Sequence, residues 1–296
     1  MITTTSFKAI IAAQRRHPTE WLWRQCLSIR SQFCEAVVAA GYLSWEQMVS
    51  AACRYRLGAS KQGGVIFWQI DQEERVRDGK VMYYKPDCHR DKGRNPTWVS
   101  ALLRRRDPFP KSPHETSHCF FGAHLISPLN ERLFRPPLTP PNSGGETAIA
   151  VMEGSGYPQG KNSADKHFTP LHHREGQGGR SPIAVVEAEK TAVILSERYP
   201  EYVWLAAGGL GEVQVDKFRP LRGHKVILFP DTDPEGIAYK RWYEAAQLVM
   251  QQPFWEGSPP IRVSAVLEQH ASAEQKARKI DLVDFLLDRR TDYKTK

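Results

Sequence analysis

Cysteine is scarce and unpatterned in this chain. Five residues (Cys26, Cys34, Cys53, Cys88 and Cys119) occur among 296, an odd number with no C-x-x-C pair. That argues against a disulfide scaffold and points to a reducing compartment, the cytoplasm. Long apolar runs are missing too. No stretch approaches the roughly 18 residues that a spanning helix needs, so no membrane is expected among the partners. Near the start only Ala9 to Ala13 is apolar before Arg15 and Arg16, shorter than the roughly 7–15 residues of a signal-peptide core. Serine-hydrolase chemistry is not indicated, because no G-x-S-x-G elbow occurs. Gly160-Lys161 suggests a phosphate loop, but Ser155 and Asn162 stand where Gly and Ser/Thr are required. Zinc is not expected either: Cys88-His89 and His118-Cys119 are adjacent pairs separated by 28 residues, without the usual ligand spacing.

What the chain does have is positive charge, unevenly placed. The formal net charge is +8 and the mean hydropathy −0.51. Residues 1–134 carry 20 Lys/Arg against 12 Asp/Glu, whereas residues 181–296 carry 16 against 17. A basic part beside a near-neutral part suits a polyanion held by one and processed by the other. A solvated charged surface would have the same composition.

Four regions follow from the patterning. Residues 1–57 read as helical: Trp21, Cys26, Ile29, Phe33 and Val37 recur at near-helical spacing, and Ser44 with Gln47 predicts a capping box. Residues 58–134 form a basic α+β subdomain, with strands predicted over Gly64–Ile70 and Lys80–Tyr84 and a turn over Asp71–Gly79. Residues 135–180 hold 6 Pro and 8 Gly and are expected to be a linker or insertion, with His172-His173 solvent-exposed. From 181 onward the grammar is α/β. Strands are predicted at Ile183–Ala188, Tyr202–Ala206, Lys225–Phe229 and Ile261–Val266, with helices at Glu189–Tyr199, Gly236–Gln251 and Asp281–Arg290. Near-continuous apolar strands alternating with helices predict a mostly parallel sheet flanked by helices, with ligands beyond the carboxyl ends of its strands.

Two acidic motifs fall at those ends. Glu187 follows one predicted strand, and Asp231 and Asp233 follow another. Residues i and i+2 of an extended stretch point to one side, so this D-x-D can present two carboxylates together. Mg²⁺ (or Mn²⁺) takes hard oxygen ligands, generally one or two carboxylates plus substrate phosphates. The same aspartates could equally serve as loop and N-cap residues. Lys190 opens a helix, where it could bind a nucleotide phosphate or pair with Glu187 or Glu189. In the basic part, Lys85, Arg90, Lys92, Arg94, Arg104, Arg105 and Arg106 are interleaved with Tyr83, Tyr84 and Trp98. Cations for phosphates and aromatics for bases are what a single-stranded channel requires.

Taken in order, Glu187-Ala188-Glu189-Lys190-Thr191-Ala192, Gly208-Gly209 and Asp231-Thr232-Asp233-Pro234-Glu235-Gly236 resemble the toprim domain shared by bacterial primases, topoisomerases and some nucleases. Lys279 to Leu286 resembles the ending of primase-like members, although Ala188 stands where most have Gly. Upstream, Tyr55–Gly58, Val65–Asp71, Gly79–Tyr84 and Cys119–Gly122 follow the order of the amino-terminal subdomain of primase cores. Together these runs are similar to toprim-containing, primase-like proteins of Bacteroidota mobile elements. The resemblance implies a toprim-like sheet over 181–296 and a nucleotidyltransferase acting on single-stranded DNA and nucleoside triphosphates, with a replicative helicase as a further partner. It also implies Glu187, Asp231 and Asp233 as metal-holding catalytic residues and Lys190, Gly208 and Gly209 as phosphate or nucleotide contacts. Alternatively, Glu187 would relay a proton as general base. A toprim nuclease, or a non-catalytic nucleic-acid-binding protein of a mobile element, are the competing readings.

Overall fold

The computed structural model describes residues 31–104, 118–127 and 181–292. The expected linker over 135–180, the predicted helical positions Trp21 to Ile29, His172-His173, Arg105 and Arg106 lie outside the described residues. The chain is mixed α/β and divides into two compact units. One comprises residues 1–135, 188–197 and 204–208, and the other 136–187, 198–203 and 209–296.

In the first unit, α1 (Gln32–Ala39) and α2 (Trp45–Arg54) precede an antiparallel sheet. The predicted capping box is present: Gln47 N–H donates to Ser44 Oγ at 3.2 Å, and Ser44 N–H donates to Gln47 Oε1 at 3.0 Å. The sheet has the order β1-β2-β3-β4, from β1 (Gly58–Ala59), β2 (Val65–Ile70), β3 (Val76–Met82) and β4 (Thr97–Trp98). The second long strand starts four residues before the predicted Lys80. The reason lies in the turn. Asp71 accepts backbone N–H bonds from Glu73 and Arg75 and side-chain bonds from Arg75 and Arg77. The turn therefore closes within Asp71–Arg75, and Val76 joins the ladder opposite Ile70. Arg77, Asp78 and Gly79 disguised the start of this strand as a turn.

One sheet face packs Ile66, Trp68, Ile70, Val76, Val81, Tyr83 and Val99. Gly79 sits opposite Trp68, and a Cβ there would lie 2.7 Å from the indole, so only glycine fits. The opposite face carries Phe67, whose ring meets Phe33 and Phe121 at 5.4 Å each. Tyr55 stacks on Phe121 and donates its hydroxyl to the Trp204 carbonyl at 2.8 Å. A short helix α3 (Val99–Arg104) follows β4, and the Phe120–Ile126 segment is a bridge at Phe121 followed by a 3-10 turn.

The second sheet has the order β6-β5-β7-β8, from β5 (Ile183–Val186), β6 (Val203–Ala206), β7 (Val226–Phe229) and β8 (Arg262–Val263). It is a parallel sheet flanked by helices: α4 (Glu189–Arg198), α5 (Ile237–Met250), α6 (Val266–His270), α7 (Ala273–Arg278) and α8 (Leu282–Asp292). Every residue of β5 and β7 is buried, as a covered parallel sheet demands. Helix α5 buries Ala238, Trp242, Ala246 and Val249, one stripe at helical spacing. The predicted last strand is shorter than expected. Ser264 N–H still reaches the Leu228 carbonyl, but Val266 begins α6. Among the described residues, no helix is long and apolar enough to cross a membrane.

Candidate functional site

Strands β5 and β7 are direct parallel neighbours, with Val186 opposite Phe229. Glu187 and Asp231 therefore leave the sheet at the same edge, both half-buried. The structure brings these two sequence-predicted acids to one edge. Asp233, 6% exposed, is engaged with the backbone. Its Oδ1 accepts from the amides of Glu235 and Ile237, each at 3.0 Å, and its Oδ2 from Ala238 at 2.7 Å. Burial pushes this carboxyl up, but the three amide hydrogen bonds outweigh it and hold Asp233 below the usual aspartate value. Those amides are first-turn donors of α5 and the chain leading into it, which a helix cannot satisfy internally. Asp233 thus serves the capping role, aided by the positive end of the helix.

Between the two aspartates, Thr232 is 1% exposed. Its amide donates to the Ile280 carbonyl at 3.3 Å and its hydroxyl to Glu268 Oε1 at 3.1 Å. Lys276 holds Glu268 in turn, donating to its Oε2 at 3.1 Å and to its carbonyl at 2.8 Å. The turn that carries Asp231 is therefore pinned from beneath by a residue 36 positions away. The only advance signal of this was the i+1 alternation that turns Thr232 inward.

A divalent cation takes carboxylate oxygens that face it. Both oxygens of Asp233 already accept backbone bonds, and among the described residues no group of three or more His, Cys, Asp or Glu is arranged to hold a metal. The three acids Glu187, Asp231 and Asp233 do not form such a group among the described residues. Glu187 and Asp231 match the smaller demand of one or two carboxylates completed by substrate phosphates.

The first unit holds a separate polar cluster. Lys80 Nζ donates to both oxygens of Glu189, at 3.0 and 3.2 Å, and to the Gly208 carbonyl at 2.7 Å. Glu189 is 2% exposed, so this pair is buried and its charges are matched. Gly208 has φ +96° and Gly209 φ +152°, backbone that favours glycine at both positions. The expected phosphate contact at Gly208 thus has its carbonyl engaged by Lys80, and Lys190 beside Glu189 is buried. Lys80 was not singled out from the sequence because its partners lie 109 and 128 positions away.

Along the basic stretch, Lys85, Arg90 and Lys92 are exposed. Arg94 is half-buried: its guanidinium lies 3.3 Å from the Tyr83 ring centroid and donates to Gln62 Oε1 at 2.9 Å. Arg104 ends α3. Of the three interleaved aromatics, Tyr83 and Tyr84 are buried, which leaves Trp98 half-exposed.

A family model described as a domain of unknown function (DUF6371) matches residues 31–133 and 172–232, just over half of the chain. No curated protein matches.

Proposed function

The chain belongs to the family described as a domain of unknown function (DUF6371), and we propose that it is a primase-like nucleotidyltransferase core acting on single-stranded DNA. In this reading residues 181–296 form a toprim-like sheet, and Glu187 and Asp231 are the acids that face the substrate. The observation that carries it is the in-register parallel pairing of β5 and β7, from whose carboxyl ends both acids emerge. Glu187 and Asp231 would hold Mg²⁺ or Mn²⁺, which lowers the barrier to phosphoryl displacement by neutralising charge on the attacking and departing oxygens. Asp233 fixes the turn and the start of α5, while Glu268 and Lys276 support it through Thr232. The exposed cations Lys85, Arg90 and Lys92 would neutralise phosphates of the strand. Nucleoside triphosphates are the co-substrates, a replicative helicase is the natural partner, and the cytoplasm is the site of action.

A second reading, a nucleic-acid-binding protein without catalysis, is favoured by the engagement of Asp233 with the backbone. The deciding experiment incubates the full chain with circular single-stranded DNA, Mg²⁺ and labelled nucleotides. Labelled oligonucleotides support the primase-like reading. Cutting of the circle would point to a nuclease, and binding with neither reaction to the non-catalytic reading.

A further inference from the structure

Trp98, which follows the exposed cations in the chain, forms a stacked aromatic pair with His118. Their ring centroids are 4.0 Å apart and their planes differ by 25°. Trp98 lies in β4 opposite Lys80 of β3 and is half-exposed; the His118 side chain is 25% exposed. Asp78, two residues before Lys80 and so on the same sheet face, is 1% exposed and stands behind the histidine. Its Oδ2 lies 3.6 Å from His118 Nε2 and accepts the Ser100 hydroxyl at 2.6 Å. Its Oδ1 accepts the amides of Gly79 at 2.7 Å and Ser100 at 3.1 Å. Burial pushes the Asp78 carboxyl up, but these hydrogen bonds together hold it below its usual value, so it is a carboxylate at neutral pH.

A buried anion thus anchors one edge of an imidazole whose face is already paired with an indole. Lys85, Arg90 and Lys92 lie in the connection from β3 to β4, the segment that leads into Trp98, and no ion pair engages any of them among the described residues. We propose that the His118–Trp98 pair is a stacking subsite for one unpaired base of a single-stranded nucleic acid whose phosphates run along the Lys85–Lys92 connection. The proposal rests on the nucleic-acid reading above and deepens it, by naming where a base is held rather than where phosphates are. Histidine and tryptophan are both faces on which splayed bases stack, and one stacking contact is sequence-tolerant because every base has a π-face. Asp78 is a positioning residue here: it fixes the ring's edge.

The test is fluorescence anisotropy of the full chain with a labelled oligothymidylate and with an abasic strand of the same length, across a salt series. His118→Ala should weaken oligothymidylate binding about tenfold, within the range for loss of one stacked base, and leave abasic binding unchanged. His118→Phe, which keeps a ring, should restore most of the affinity, while His118→Gln should not. The salt slope should stay the same in all three variants, since no phosphate contact is removed. Lys92→Ala should instead flatten that slope by about 0.7 and weaken both strands alike. Equal losses on both strands, no loss on either, or rescue by Gln as good as by Phe would overturn the subsite while leaving the nucleic-acid reading in place. A wild-type chain that binds neither strand would overturn both.

Discussion

Asp231 and Asp233 are two residues apart and chemically identical, yet the structure gives them different work, and stability measurements separate the two. Asp233→Ala removes the acceptor for three amides, of Glu235, Ile237 and Ala238. Loss of an N-cap acceptor costs about 0.5–2 kcal/mol, typically near 1. Ala238 is 5% exposed, so its amide is left without water and adds about 1–3 kcal/mol for an unsatisfied buried donor. Loss of the negative charge near the start of α5 adds about 0.3–1 kcal/mol. These contributions overlap, and about 2–3 kcal/mol is the expected total. Asp233→Asn keeps an oxygen for Ile237 but turns an amide NH₂ towards the Ala238 N–H or forces a rotation, so about 1–2 kcal/mol is expected on the same grounds. Asp231→Asn, at a half-buried position on the turn, should cost less than Asp233→Asn. Urea unfolding at pH 7, followed by circular dichroism, gives all three values from the midpoint shift at constant m. Equal destabilisation by the Asp231 and Asp233 variants would refute the division of labour.

Two further outcomes are expected. His124 is 1% exposed, its Nε2 donates to the Arg54 carbonyl at 3.0 Å, and burial together with nearby Arg56 pushes its pKa down to about 3. Between that value and about 6.5 the unfolded chain binds a proton that the folded chain does not, so stability is complete above pH 6.5 and falls as pH drops through this window. The loss should reach about 2 kcal/mol by pH 5, read from urea midpoints, and His124→Gln should remove that slope; an unchanged slope would assign it to other groups. Lys80→Met strands the buried Glu189 carboxylate and should cost about 3–5 kcal/mol. Lys80→Met with Glu189→Leu should recover most of that in thermal unfolding; a double variant as unstable as the single would mean that packing, not charge, is at stake.

Much of the fold was legible because its signals are local. The Ser44–Gln47 box declares the start of α2, and the unbroken apolar runs at 183–186 and 226–229 declare buried parallel strands. Where partners lie far off in sequence, the local signal misleads. Strand β3 contains Arg77 and Asp78, which read as loop residues until Asp71, Ser100 and His118 are folded against them. The run Ile261–Val266 reads as one strand, yet only two residues continue the ladder. The same division holds at the candidate site. Glu187 and Asp231 were visible as acids at strand ends. That Asp233 is spent on amides of its own turn was weighed only as an alternative, because D-x-D spacing fits both uses. Glu268 carried no signal at all, since its role exists only through Thr232.

In the proposed function Glu187 and Asp231, rather than the whole acidic triad, carry nucleotidyl transfer. Nucleotide incorporation on single-stranded DNA, titrated with Mg²⁺, tests this most directly for the wild type, Glu187→Gln, Asp231→Asn and Asp233→Asn, each at a temperature where it is fully folded. Mg²⁺-dependent product is expected from the wild type, none from the Glu187 and Asp231 variants, and retained product from Asp233→Asn. Product from Asp231→Asn at the wild-type rate, or none from the wild type, would contradict the proposed function.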